Sequence, residues 1–159
     1  MASYGWQMPV VDLSELPPMG ALVGLDLGEK TIGVAVSDAT RMIASPLSLI
    51  RKSKFTDDVD ALFRLVDSRR PVGLILGLPV NMDGSEGPRA QSSRAWARNL
   101  LRLKPDLAIA FWDERMSSMA VNRMLIDEAD LSRARRAEVV DRAAAAWILQ
   151  GALDRLRNR

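Results

Sequence analysis

The chain has 159 residues, 48% of them apolar, with 22 basic against 20 acidic side chains and neither histidine nor cysteine. That length suits one domain with a real core. The two missing residue types exclude disulfides, thiolate metal sites, cysteine nucleophiles, histidine-dependent triads and nearly every zinc site, so hydrolytic chemistry falls to carboxylates, lysine and hydroxyls.

Residues 1–20 carry Pro9, Pro17, Pro18 and Gly20 and read as an arm or disordered extension, with Trp6, Val10, Val11 and Leu13 able to dock. This start lacks the basic-then-apolar layout of a signal peptide. No run approaches the roughly 18 apolar residues of a membrane span. The expectation is a cytoplasmic protein without a membrane partner, whose single domain covers residues 21–157.

That domain opens on ALVGLDLGEKTIGVAV, Ala21 to Val36. Two β-branched, apolar runs flank Gly28-Glu29-Lys30-Thr31, which predicts a hairpin. Met42 to Ile50 follows as a strand that Pro46 confines to an edge. A helix is expected over Phe55 to Ser68, capped by Thr56, with Val59, Leu62, Phe63 and Val66 on its apolar face. Val72 to Leu78 is a short continuous apolar run, as in a buried parallel strand. Pro79 to Pro88 forms a Gly/Pro/Asp loop, Gln91 to Leu103 a helix, and Leu107 to Trp112 another strand. Met116 to Glu128 is expected to be helical. Leu131 to Arg136 reads as a basic loop opening the last helix, about Ala137 to Leu156. Three meandering strands followed by alternating helices and strands predict an α/β fold with a mixed five-stranded sheet, three strands antiparallel and then two parallel.

Charge is distributed unevenly. Residues 1–40 carry one base against five acids, residues 41–54 four bases and no acid, and residues 131–159 seven bases against three acids. Such basic segments suit a polyanion, although charge runs also form ordinary solvated faces.

Three carboxylates disagree with their surroundings or stand at strand ends, where open α/β sheets build their sites. Asp26 ends the first strand among Leu22, Val23, Leu25 and Leu27, where a carboxylate is costly unless paired, hydrogen-bonded or bound to a cation. Glu114 follows the last strand. Asp141 borders a helical face expected to hold Val140, Ala144, Trp147 and Gly151. Each has a plain alternative: a turn residue, a post-strand Asp113–Arg115 pair, and a boundary acid held by arginine. Together they form a constellation whose mutual repulsion a cation relieves. Carboxylate-only sites select hard cations such as Mg²⁺ or Mn²⁺, and paired divalent ions about 3.5–4 Å apart activate water against a phosphodiester.

The runs GLDLGEKTIGVAVSD, GLPVNMDGSEGP, DERMSS and VVDRAAAAWIL occur in that order over about Ala21 to Leu156. They resemble the YqgF (RuvX) family of RNase H-like proteins, which are akin to Holliday-junction resolvases and described as nucleases maturing the 5′ end of pre-16S rRNA. The resemblance implies an RNase H-like fold, Mg²⁺- or Mn²⁺-dependent nuclease chemistry and a cytoplasmic setting. It assigns Asp26, Glu114 and Asp141 as the catalytic, metal-holding acids, and it matches Gly77-Leu78-Pro79 and Asp83-Gly84-Ser85 to the family's turn and adjoining loop. The family often has a lysine shortly before the last acid, where this chain has Glu138; the nearest bases are Arg133, Arg135 and Arg136.

The expected activity is therefore metal-dependent cleavage of structured RNA or branched DNA, with pre-rRNA the foremost substrate and ribosomal precursor particles as further partners. Arg51, Lys52, Lys54, Arg135 and Arg136 are candidates for backbone phosphates. The loop at Asp83, Gly84 and Ser85 is a candidate flexible lid, or an ordinary connection. A Holliday-junction resolvase, which would need a homodimer rather than a monomer, stays open. So does a non-catalytic nucleic-acid-binding ribosome-assembly factor. A sugar-kinase-like phosphotransferase, whose phosphate hairpin also begins Asp-x-Gly, is disfavoured by the short chain.

Overall fold

The computed structural model describes residues 10–116 and 132–158, without the side chains of 133–139, 141 and 142. Its strands are β1 (Leu22–Leu27), β2 (Thr31–Ser37), β3 (Ala44–Arg51), β4 (Gly73–Leu78) and β5 (Ile109–Asp113). The helices are α1 (Phe55–Val66), α2 (Pro88–Leu103) and α3 (Arg133–Arg157). The strands form one sheet in the order β3-β2-β1-β4-β5. β2 is antiparallel to β1 and β3 to β2, whereas β4 runs parallel to β1 and β5 to β4. The mixed five-stranded sheet expected from the sequence is the one observed.

The hairpin closes at the expected turn, where the Gly28 N–H donates to the Thr31 carbonyl at 2.9 Å. β3 is an edge strand, and its Pro46 sits opposite Ala35 at a register shift. Proline has no N–H to donate, so an irregular edge is where a sheet tolerates it.

Strand alternation sorts the apolar residues onto two faces. Val23, Leu25, Val34, Leu74, Leu76 and Ile109 pack with Val59, Leu62 and Val66 of α1 and Trp96, Ala97 and Leu100 of α2. Leu22, Ala35, Ile75, Ala110 and Trp112 pack with Ala145, Ile148, Leu149, Ala152 and Leu153 of α3. Leu16, only 5% exposed, joins the second cluster, and the Val11 N–H donates to the Ile109 carbonyl of β5 at 2.9 Å. Residues 10–20 thus lie against the sheet. Among the described residues no helix is long and apolar enough to cross a membrane.

Several local expectations are corrected. Thr56 is not the N-cap of α1: Lys54 holds that position without a side-chain cap. Asp58 works instead, accepting from the Ser53 N–H at 2.9 Å and the Ser53 hydroxyl at 3.1 Å. α2 begins three residues earlier than expected, with Pro88 in its first turn, where a missing N–H costs nothing. Arg135 and Arg136 belong to the first turns of α3 rather than to a loop. The buried face of α3 is also shifted: Ala144 is buried as expected and Ala145, Ile148, Leu149 and Ala152 are fully buried, whereas Val140, Trp147 and Gly151 are only partly so. Asp141 therefore stands in line with the buried stripe, at helical spacing from Ala145, Ile148 and Ala152. The expected helix over Met116 to Glu128 lies outside the described residues but for Met116, which ends a 3₁₀ turn.

Candidate active site

Leu22, Gly24 and Asp26 alternate onto the α3 face of β1. Gly24 explains how close that helix comes. A Cβ built there would lie 2.7 Å from the Leu149 Cβ and 2.9 Å from the Ala145 carbonyl oxygen. Gly151 repeats the device from the helix side, where a Cβ would lie 2.9 Å from the Trp112 indole nitrogen. With Ala144, Ala145, Ala146 and Ala152 beside them, these glycines bring helix backbone almost onto strand backbone.

The same economy opens room at the carboxyl end of the sheet. Asp26 pairs across β2 with Gly33. The parallel register Leu25↔Leu76, carried one residue on, sets Asp26 level with Gly77, which is paired with Trp112. A Cβ on Gly77 would lie 3.0 Å from the Glu114 carboxylate oxygen Oε2 and 2.5 Å from the Ile148 Cδ1. Glu114 therefore reaches back over β4 into space that any other residue at 77 would fill. Asp26 is half-buried one strand away, with glycine on both flanks. Both acids are named from the sequence, and Gly77 only as part of a turn; that the glycines make room for the acids is seen in the fold. The signal was present, because Gly24, Gly33 and Gly77 all occur in strands where glycine is otherwise unfavourable.

Asp141 is placed by its backbone. α3 runs antiparallel to β1: Gln150 accepts from the Ala44 N–H at 2.8 Å at the start of β3, and Leu153 packs with Leu16 and Leu22. Going back along the helix from Ala145 leads towards the Asp26 end of β1, and Asp141 is one turn, about 6 Å, in that direction. Its side chain lies outside the described ones, and among the described residues no three acidic side chains gather.

Glu114 is held by its neighbours. The Asp113 carboxylate accepts from the Arg115 backbone N–H at 2.9 Å and from its guanidinium at 2.7–3.1 Å. This closes the 3₁₀ turn Glu114–Met116. The Arg115 hydrogen bond, above all, holds the Asp113 carboxyl below its usual range. Arg115 also donates to the Met82 carbonyl at 3.2 Å, which ties the turn to the loop over residues 79–87. The Asp113–Arg115 pair weighed as an alternative to a functional Glu114 is thus present, and it fixes Glu114 between its two members.

That loop is a small hairpin of its own. The Asn81 N–H donates to the Ser85 carbonyl at 2.9 Å, and Gly84 adopts a positive φ of 89°. The exposed Asp83 accepts from the Ser85 hydroxyl at 2.6 Å and its N–H at 2.9 Å, and these bonds lower its pKa. Glu86 is clamped by Arg94 at 2.6 and 2.7 Å, which lowers its pKa likewise.

Of the candidate phosphate contacts, Arg51 pairs with Thr31 across β2 and β3, and the Lys52 N–H donates to the Lys30 carbonyl at 2.8 Å. Lys52 Nζ donates to the Gly28 carbonyl at 3.0 Å. Both bases thus stand beside the turn that follows Asp26, and Lys54 is exposed at the head of α1. The side chains of Arg135 and Arg136 lie outside the described ones.

The donor set at this edge is all carboxylate oxygen, and Gly77 leaves open the space that the Glu114 carboxylate occupies one strand from Asp26. Both features fit a hard divalent cation, whose charge offsets the like charges around it.

Comparison with known proteins adds the lineage. Residues 20–155 match the RuvX family model, described as Holliday junction resolvase. The chain is 75% identical over 155 residues to a protein of Phenylobacterium zucineum (strain HLK1) named "Putative pre-16S rRNA nuclease", covering 95% of this chain and 99% of that one. It is 65% identical, with the same coverage, to a protein of that name from Caulobacter vibrioides (strain NA1000 / CB15N). Among solved structures, T. thermophilus RuvC in complex with Holliday junction substrate superposes with a TM-score of 0.50 at 11% identity, covering 87% of this chain and 96% of that one. At that identity the likeness concerns the fold alone.

Proposed function

This chain belongs to the RuvX family of Holliday junction resolvases, and on that premise we propose that it is a divalent-metal-dependent endonuclease that matures the 5′ end of pre-16S rRNA. The names of its relatives support the substrate. The observation that carries the chemistry is Glu114 lying over Gly77 at the same sheet edge as Asp26. A pre-rRNA substrate sets this work in the cytoplasm, on the precursor transcript or its ribosomal particle.

Asp26, Glu114 and Asp141 would hold Mg²⁺ or Mn²⁺. Such an ion, when bound, lowers the pKa of the attacking water and offsets charge on the scissile phosphate. The residues of the chain do the rest. Arg115 and Asp113 keep the Glu114 backbone in one conformation, so the carboxylate is oriented before substrate arrives. Arg51, Lys52 and Lys54 bind flanking phosphates and set the strand's register without reading bases. α3 packs closely against the face of β1 that carries Asp26, over Gly24.

The test is cleavage of a pre-16S 5′ leader in the presence of Mn²⁺ or Mg²⁺, comparing wild type with Asp26→Asn and including a four-way DNA junction as second substrate. Metal-dependent cleavage of the leader, lost in Asp26→Asn, is the expected result. Equal activity in both proteins would remove the catalytic assignment. Symmetric cleavage of the junction alone would favour a resolvase. Binding without cleavage would favour a non-catalytic assembly factor.

A further inference from the structure

A cleft lies across β1 from the face that carries Asp26, between the β1–β2 turn and the first half of α2. Its volume is about 110 Å³, and Leu27, Gly28, Lys52, Arg89, Ser92 and Trp96 line it. That is room for about three or four water-sized groups. Arg89, Ser92, Ser93 and Trp96 recur at helical spacing of three and four, so one face of α2 supplies them all.

The polar atoms of this cleft are mostly donors. Lys52 Nζ is fixed beside it by its bond to the Gly28 carbonyl at 3.0 Å and keeps two further protons. Arg89 is exposed in the first turn of α2 and makes no ion pair among the described residues. Ser92 is exposed one turn on. α2 has no side-chain N-cap, so its first N–H groups add positive potential. Trp96 forms part of the wall at 8% exposure; its indole nitrogen, without an acceptor among the described residues, is shielded from solvent and reports on the cleft rather than opening into it. Against these donors stands one acid at the rim, the exposed Glu29. Two cations and a free hydroxyl around a small cavity at a helix N-terminus suit a compact oxyanion.

We propose that this cleft is a phosphate subsite, built by Lys52, Arg89 and Ser92 against the wall of Trp96, that holds a backbone phosphate of the same nucleic-acid strand whose scissile bond lies at Asp26. Leu27 and Gly28 follow Asp26 directly, and two residues of chain span at most about 7 Å. The cleft wall therefore begins within two residues of Asp26, on the other face of the sheet, and the proposed strand crosses the end of β1 to reach both. The subsite rests on the nuclease reading for its substrate, but its residues stand apart from the acids that reading uses.

The experiment follows the Trp96 indole N–H by NMR on the isotopically labelled full chain, the resonance being assigned through its own backbone amide. Inorganic phosphate is titrated at ionic strength held constant with chloride, and then a short single-stranded RNA from the pre-rRNA leader. A saturable shift with both ligands is expected. Arg89→Ala should weaken the apparent affinity about fivefold or more and lower the salt slope of RNA binding by about one. No saturable shift with either ligand, or an equal shift in Arg89→Ala, overturns the subsite. A shift with phosphate and none with RNA overturns the strand as its source. If wild type cleaves RNA while the Trp96 N–H stays still, the cleft falls and the nuclease stands. If the N–H moves with RNA and no metal supports cleavage, the nuclease reading falls instead.

Discussion

The two faces of the sheet are both apolar and are packed in different ways. Towards α1 and α2 the core is made of large side chains, among them Leu25, Leu62, Leu76, Leu100 and Trp96, and the helices stand off at side-chain distance. Towards α3 large side chains such as Leu22, Ile75, Ile148 and Leu149 are packed as well, but Gly24, Gly77 and Gly151, with Ala145 and Ala152, let the helix come closer to the strands. The first arrangement stabilises through area removed from water. The second leaves room for polar groups, and the half-buried Asp26 and Glu114 occur on that face. A site of like charges needs a face where backbones come close and side chains stay out of the way.

The sharpest way to separate the faces is to remove the charge and keep the shape. Asp26→Asn is expected to lower metal-dependent cleavage by at least about 1,000-fold, or about 4 kcal/mol in the barrier, with an unchanged circular dichroism spectrum. Retained cleavage would put the chemistry elsewhere. The mirror experiment is Leu100→Ala on the large-residue face. It should cost about 3 kcal/mol of unfolding free energy in urea while kcat measured below the melting transition is maintained; a parallel fall in kcat would mean that the two faces are not separable.

Overpacking the small-residue face comes next. Gly24→Ala should lose about 1–3 kcal/mol of stability, because the Ala145 carbonyl at 2.9 Å is backbone and cannot move aside cheaply. Gly77→Ala meets only the tips of Ile148 and Glu114, so it should cost less stability and more activity, read as kcat against melting temperature. Equal behaviour of the two variants would deny Glu114 its place over Gly77.

The smallest effect is expected at the tether. Arg115→Ala should lower cleavage about tenfold through misplaced Glu114 but change stability little, since the pair is partly exposed. The sign with pH follows from the lowered folded pKa of Asp113. The pair stabilises fully above the unfolded aspartate value of about 3.9, and its contribution fades as pH falls below that. Denaturation of wild type and Arg115→Ala should therefore converge in acid; divergence there would refute the assignment.

Much of this was legible in the chain. The hairpin, the edge strand with Pro46 and the buried run before Pro79 follow from alternation and punctuation, which are local. The face of α3 was not legible in the same way. Four consecutive alanines carry no periodic contrast, so the sequence alone selects Val140, Ala144, Trp147 and Gly151 as the buried stripe. Ala144 is buried, but contact with Gly24 and Gly77 centres the stripe on Ala145, Ile148 and Leu149 rather than on Val140, Trp147 and Gly151, and it moves Asp141 from the border of the stripe into line with it. The cap of α1 was misjudged because Asp58 reaches back to Ser53, a contact that propensity at a single position does not encode.

By itself, the sequence determined the element types of the described residues, a mixed five-stranded sheet and the absence of any histidine or thiol chemistry, because periodicity and composition are properties of neighbours along the chain. Only the tertiary structure decided that Glu114 lies over Gly77 beside Asp26, and that Lys52 joins Arg89 and Trp96 around one cleft. Those residues are tens of positions apart in sequence, and what brings them together is the register of parallel strands and the close approach that glycine and alanine permit. Side-chain volume at remote positions sets that approach, and no local pattern announces it.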